Sequence, residues 1–468
     1  MKLFLLLGFI VLSRIIAMIF IPLTDTTEAR YANTALIMSK LGDWITPYYD
    51  YGVAFWGKPP LAFWAEALSF RLLGVYDFVP RLPSLVVSLL VAWLIYRVLL
   101  LLSDRWSALL GAVIYSSMLL MFALSGAVIT DIYLTFCITL SLVSFLMVIN
   151  DQKGFWNYLF FAGIGLGILT KGPLALVIVG GVVFLWLIFS FKSRFAMLDK
   201  FEWKSGVLIV LIVSLPWYII AEFKTPGFLE YFIIGEHIGR FLDSGWSGDR
   251  YGYVHNNPLG AIWLMWLVAT LPWGVYGGYL LVKSLISKKL NAVDFGIFRD
   301  SNIFFLIVWA LFVMLFFTIS KNVIWTYVAP SLPAFAILLA LYIRNLDMQR
   351  SRAIFYVSSI VPIVAIVATI YINLFPSSVK TEKFLVEKYR ELAVDSEPIY
   401  FINNKSFSAT YYLNQEIVPI DTEGLDEISS KNSSFFVAIR KNHSAALDED
   451  SDYSKVFESN RYRLYKKE

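Results

Sequence analysis

Long apolar runs punctuate this chain from its first residues. A spanning helix needs roughly 20 apolar residues. Runs of that kind fall at 3–22, 79–102, 106–124, 131–149, 155–170, 173–191, 206–222, 259–283, 303–319, 323–343 and 354–375, about eleven in all. Between the first two runs the pattern turns helical with polar faces. Residues 27–41 and 60–74 read as amphipathic helices lying in the interface, the second interrupted by Glu66 and Arg71. A second long polar segment covers 224–258. From about residue 376 charges become dense and apolar runs short. There 398–403, 416–420, 434–441 and 461–467 read as strands, and 381–392 and 406–413 as helices. The expected fold is an all-α polytopic membrane domain over 1–375, with long loops at 24–77 and 224–258, and a small soluble α/β domain over 376–468. The internal repeats common in secondary transporters are not visible.

Composition sharpens this picture. Of 468 residues, 58% are hydrophobic and 16% charged, where soluble domains carry about 25% charged residues. A soluble enzyme and a disordered chain are thereby excluded. The single cysteine, Cys137, permits neither an internal disulfide nor a cysteine-based zinc cluster, and reads as a small buried hydrophobe. The first apolar run is too long for a signal peptide and lacks a small-residue cleavage site, so it reads as an uncleaved first span. Basic residues gather in the short loops at 104–105, 150–154, 192–204, 283–299 and 344–352. Those at 123–130, 170–173 and 320–322 hold few. The positive-inside rule puts the first set in the cytoplasm, with the N-terminus inside and the C-terminus outside. The net charge of +4 reflects those loops, and nothing resembles a nucleic-acid-binding module.

Ionisable residues at a membrane are costly, and each is a functional candidate. They concentrate on the outer side. Asp25-Thr-Thr-Glu28-Ala-Arg30-Tyr31 follows the first span. Its polar residues could serve as a helix cap, or Asp25 could act as a general base toward an acceptor hydroxyl. Lys58, in Phe55-Trp56-Gly57-Lys58-Pro59-Pro60, is either a fixed point charge for a phosphate or a snorkelling interfacial lysine. Glu236-His237-Ile238-Gly239-Arg240 offers an arginine suited to phosphate. His237 could join Glu28, Glu236 and His255 around a metal, although this spacing matches no compact motif. Asp131, Lys171 and Lys321 stand at outer mouths of spans. Together these suggest an outward-facing cavity for a lipid phosphate, with cations for the leaving group and aromatic faces for sugar rings.

In combination, TEARYA with LGDWITP, FWGKPPLAFW, RLPS, LTKGPLAL, EHIGRF, LPW and SKN…TYVAPSLP resemble the GT-C glycosyltransferases. The branch is the one that holds lipid A aminoarabinose transferases and protein O-mannosyltransferase-like enzymes, and the likeness runs from about 22 to 341. The resemblance implies a GT-C membrane fold that transfers a sugar, with inversion, from undecaprenyl phosphate on the periplasmic face of a bacterial inner membrane. Lipid A is the implied acceptor. It implies Asp25 as the base, with Glu28 its rival. It implies Arg30, Lys58 and Arg240 at the donor phosphate, with Lys171 and Lys321 assigned there too. Tyr31, Trp56, Asp131 and Tyr327 are assigned to sugar or acceptor. Glu236 and His237 are the candidate ligands of a divalent metal such as zinc, but Gly57 stands where relatives place an acidic residue that helps hold it. If the acceptor is a phosphate, it is already a nucleophile, and Asp25 would orient it rather than deprotonate it. Competing readings are a protein O-glycosyltransferase, a flippase for lipid-linked sugars, and a non-catalytic scaffold.

Overall fold

The computed structural model describes the chain except residues 1, 153, 190–191, 243–247, 249, 253–254, 288–299, 347, 349–350, 395–396, 432–433 and 468. Most of the 283–299 loop and parts of the 150–154, 224–258 and 344–352 segments therefore lie outside the described residues.

Helix α1 (Lys2–Phe20) leads to α2 (Thr27–Leu41), a short hairpin β1 (Tyr48–Asp50) and β2 (Val53–Ala54), and α3 (Leu61–Leu73). The bundle continues through α4 (Leu82–Leu102), α5 (Arg105–Ser117), α6 (Leu119–Leu124), α7 (Asp131–Ile149), α8 (Phe155–Lys171), α9 (Leu174–Ile188) and α10 (Trp203–Lys224). A π-helix, Glu230–Gly239, and the single turn α11 (Arg240–Leu242) precede α12 (Ala261–Ala269), α13 (Trp273–Ile286), α14 (Ser301–Thr318), α15 (Leu332–Asn345) and α16 (Arg352–Leu374).

Among the described residues, seven helices are long and apolar enough to cross a membrane: α1, α4 with its leading turn, α7, α10, α14, α15 with its leading turn, and α16. Counting the bent pair α12–α13 as one span gives eight. The chain is a multi-pass membrane protein. Helix α7 is buried along nearly all its length and packs on α8, α4 and α9. That explains its sequence, in which the residues after Asp131 are apolar or small hydroxyl side chains: a helix surrounded by helices has no charged outer face.

Two runs expected to be single spans are broken. The 106–124 run divides at Met118, whose ψ of 139° leaves the helical region. The 259–283 run divides before Pro272, and its halves are bent by 96°. Pro272 has no N–H to continue α12. The breaks brace each other. The Leu119 N–H donates to the Leu271 carbonyl at 2.8 Å, and the Trp273 indole donates to Ser117 Oγ at 2.8 Å. Backbone groups freed inside a bilayer need such partners. The 155–170 and 173–191 runs become helices of 17 and 15 residues, about 26 and 23 Å long at 1.5 Å per residue, both short of the hydrocarbon thickness.

Helices α2 and α3 appear where the periodicity puts them. Helix α2 is not a surface helix, however. Residues 31–38 are all buried, between α3, the hairpin and the C-terminal segment.

The C-terminal segment holds α17 (Lys383–Leu392), β3 (Ile399–Phe401), α18 (Phe407–Leu413), α19 (Thr422–Lys431), β4 (Phe435–Arg440), β5 (Tyr453–Glu458) and β6 (Tyr462–Lys467). The sheet order is β3-β4-β6-β5, with β3 parallel to β4 and the other pairs antiparallel. The expected strand at 416–420 contributes only the bridge Ile402–Ile420. Strand β5 was not expected. It is an edge strand with exposed Ser454 and Lys455, the polar composition edges favour.

Candidate active site

The elbow between α1 and α2 carries Asp25, Glu28 and Arg30, and the fold sends them three ways. Glu28 meets Arg81 in a two-pronged pair, Oε1 to Nε at 2.7 Å and Oε2 to Nη2 at 2.8 Å. Thr24 donates to Glu28 through its backbone N–H and its hydroxyl. Arg81 also donates to the carbonyls of Met18, Ile21 and Pro22, fastening the end of α1 to α4. Burial alone would raise the Glu28 pKa, but the charge and hydrogen bonds of Arg81 outweigh it and hold the carboxyl below its ordinary value. Asp25 turns to the C-terminal segment. It accepts from Ser408 N at 2.9 Å and Ser408 Oγ at 2.7 Å, and pairs with Arg461. Its side chain is 1% exposed.

Arg30 instead faces an assembly of cations and rings. Its guanidinium donates to the Tyr251 carbonyl and lies 5.3 Å from the Tyr31 ring centre. The Tyr251 hydroxyl donates to Ala54 O at 2.9 Å and accepts from Trp56 N at 3.1 Å, so it ties the 224–258 segment to the hairpin beside Lys58. Lys58 Nζ lies 3.7 Å from Glu236 Oε2. Arg240 donates to the same oxygen at 3.1 Å, and Tyr231 donates to Glu236 Oε1 at 3.1 Å. Arg250 covers the rings of Trp56 and Tyr231 at 4.8 and 5.0 Å. Glu236, His237 and Tyr231 all belong to the π-helix, a wide turn that recurs at functional sites.

The third part sits at the mouths of α7 and α8. Lys171 and Asp131 form a buried pair at 2.7 Å, and Lys171 Nζ lies 4.9 Å from the Tyr327 ring centre. Gly172 turns the chain away at φ +63°, where a Cβ would strike the Phe232 ring at 2.7 Å. That close approach brings the π-helix onto α8. Among the described residues Lys321 makes no side-chain contact of this kind; its carbonyl accepts from Asn257 N.

Arg30, Lys58, Lys171, Arg240 and Arg250 thus converge with two carboxylates, Asp131 and Glu236, each ion-paired. Two buried donors, Arg30 Nε and Trp56 Nε1, have no hydrogen-bond partner among the described residues. Orphaned buried donors are rare, and these face the same assembly. Arg250, Tyr231 and Tyr251 were missed in the sequence. Their signal was the interleaving of cation and aromatic in Arg250-Tyr251, the pattern that drew attention to Lys58.

The metal expectation meets a different geometry. His237 Nδ1 faces Phe232 O at 2.7 Å, and Nε2 faces Lys171 O at 2.9 Å. Glu236 is held by Lys58, Arg240 and Tyr231. Among the described residues no group of three or more His, Cys, Asp or Glu could hold an ion. The described residues do not assemble a three-ligand site for a divalent metal.

Residues 4–232 match the profile of the dolichyl-phosphate-mannose-protein mannosyltransferase family. The whole chain superposes on ArnT from Cupriavidus metallidurans, solved with undecaprenyl phosphate bound. The TM-score is 0.79 at 14% identity, covering 99% of this chain and 97% of that one. The fold is that of ArnT. In sequence, the chain is 29% identical over 325 residues to the undecaprenyl phosphate-alpha-4-amino-4-deoxy-L-arabinose arabinosyl transferase of Aeromonas hydrophila, covering 68% of this chain and 56% of that protein. The enzyme of the same name from Yersinia pestis strain Pestoides F is 28% identical over 321 residues, covering 67% and 54%. The chain spans about half the length of these curated relatives. Within the ArnT-like fold, the cation and aromatic assembly lies at the ends of α7 and α8 remote from the basic turns at 104–105 and 150–154.

Proposed function

We propose that this chain is an inverting glycosyltransferase. It moves a sugar from undecaprenyl phosphate to a phosphate of an envelope glycolipid, lipid A, on the periplasmic face of a bacterial inner membrane. The observation that carries the reading is the convergence of five cations on a site whose two carboxylates are both ion-paired. The named activity of the curated relatives, and the lipid phosphate bound by ArnT, support the donor class.

In this reading an acceptor oxygen attacks the anomeric carbon, the bond from that carbon to the donor phosphate oxygen breaks, and undecaprenyl phosphate leaves carrying the charge. Lys58 and Arg240 take up that charge, as pre-positioned donors do in a dry site. Arg30 and Lys171 hold the phosphates, and Tyr31, Trp56 and Tyr327, which lie against Arg30, Arg250 and Lys171, supply the aromatic surface for the sugar. An acceptor phosphate is anionic before it reacts, so no base is needed. A hydroxyl acceptor needs one. Asp131 and Glu236 are already engaged, Asp131 by Lys171 and Glu236 by Lys58, Arg240 and Tyr231. The family profile is named for protein mannosyltransferases, which makes hydroxyl transfer the second reading.

The test is transfer in vesicles with undecaprenyl-phosphate-linked sugar and lipid A. Lys58→Ala and Arg240→Ala should each lower kcat by about 10²–10³, the cost of losing one charge-stabilising donor, and dephosphorylated lipid A should accept nothing. Equal transfer to dephosphorylated lipid A or to a serine peptide would favour the hydroxyl reading.

A further inference from the structure

Asp25 has the chemistry of a base but not the surroundings of one. A base must reach the proton it takes. Both Asp25 oxygens are already occupied by donors, Ser408 N–H on one and Ser408 Oγ–H and Arg461 on the other. Ser408 lies in the first turn of α18, so Asp25 satisfies one of its free N–H groups from a distant part of the chain. Arg461 also lies 3.5 Å from Glu382, whose other oxygen accepts from Ser459 Oγ at 2.5 Å. The grip extends along the elbow. Tyr412 accepts from Leu23 N at 2.7 Å, Thr381 Oγ donates to Leu23 O at 2.8 Å, and Asp25 N donates to Lys380 O at 2.8 Å.

We propose that Asp25, Ser408 and Arg461 form a latch by which the C-terminal segment fixes the α1–α2 elbow, which makes Ser408 and Arg461 positioning residues for Arg30. The elbow transmits the grip through the backbone. Thr24 O accepts from Ala29 N, and Thr26 O accepts from Arg30 N, both at 3.1 Å. Those bonds set the first turn of α2, from which Arg30 reaches the Tyr251 carbonyl. Loosening Asp25 frees the turn that aims Arg30 at the lipid phosphates. Asp25 thereby acts on the reaction without touching substrate. A misplacement of about 1 Å, from a change far from the chemistry, costs about a hundredfold in rate.

The link to Arg30 rests on the transferase reading, so the experiment has two readouts. The full chain in nanodiscs is compared with Asp25→Asn, Ser408→Ala, Arg461→Met, Arg461→Lys and the double variant Asp25→Asn/Arg461→Met. Backbone hydrogen exchange at 23–30 reports the latch, and kcat and KM report transfer. Asp25→Asn and Arg461→Met should each speed exchange at 23–30 and lower kcat by about tenfold. The double variant should fall no further than the worse single, because the residues act as one unit. Arg461→Lys should recover part of both losses, and Ser408→Ala should show a smaller loss of each. If Asp25→Asn abolishes transfer while Arg461→Met and Ser408→Ala leave exchange and kcat unchanged, Asp25 acts on substrate and the latch is overturned. If the wild type transfers no sugar, the transferase reading fails, and exchange alone decides the latch: faster at 23–30 in Arg461→Met upholds it, unchanged exchange overturns it.

Discussion

Glu28 and Arg30 are two residues apart and perform unrelated work, because consecutive side chains on a helix leave it in different directions. Glu28 turns inward to Arg81, and Arg30 turns toward Tyr251. The Glu28–Arg81 pair is buried, so removing one partner strands a charge. Arg81→Met should cost about 3–5 kcal/mol of stability, read from thermal unfolding in detergent. Arg81→Met with Glu28→Gln should recover part of it, since no uncompensated charge then remains, while the carbonyls of Met18, Ile21 and Pro22 still lack their donor. A double variant no more stable than the single would contradict this account of the pair. The charged residues here were visible in the sequence as residues, but their division of labour was not. Asp25 finds its partners 383 and 436 positions away, and no local pattern encodes such a distance. The adjacency of Glu236 and His237 suggested a metal for the same reason: their actual partners, Lys58 and the Lys171 carbonyl, come from other segments.

Elements are placed by close packing as much as by hydropathy. Gly163 brings α8 onto α7, where an added Cβ would lie 2.3 Å from Ser141 Oγ and 2.8 Å from the Cys137 backbone carbonyl. The carbonyl cannot rotate away, so Gly163→Ala should destabilise by about 1–3 kcal/mol. Gly180 has open space at its Cβ position, and Gly180→Ala should leave the unfolding temperature unchanged or slightly raised, as expected for an unstrained helical alanine. The C-terminal elements carry a pH dependence. Burial, reinforced by Asp25, outweighs Ser459 and Arg461 and pushes the Glu382 carboxyl up to about 7 from 4.5. The folded state therefore binds the proton more tightly than the unfolded one. The stability that Glu382 contributes is greatest below pH 4.5 and falls as pH rises toward 7. Glu382→Gln should flatten that slope in melts between about pH 5 and 8; an unchanged slope would remove Glu382 as its source. Element breaks were the least legible feature. The split at Met118 depends on a bond to Leu271 in another helix, and strand β5 is polar because it lies at an edge.

The molecule as a whole was legible because a bilayer leaves few alternatives. A run long and apolar enough to span has only a helix available to it, so α1, α4, α7, α10 and α14–α16 follow directly from hydropathy. The C-terminal segment, with its dense charges and short apolar runs, follows no such rule, and its apolar run at 416–420 forms only a bridge. The candidate site was legible in outline, since Lys58, Lys171, Arg240 and Arg30 stood out as costly charges near a membrane. Arg250 did not, because it becomes significant only where the fold lays it on Trp56 and Tyr231. The central claim is that this assembly glycosylates an envelope lipid. Mass spectrometry of lipid A tests it most directly, comparing cells that lack the chain with cells expressing wild type or Lys58→Ala. The account predicts a species heavier by one sugar residue that is present with wild type and absent or strongly reduced in the other two. Identical lipid A in all three would contradict it.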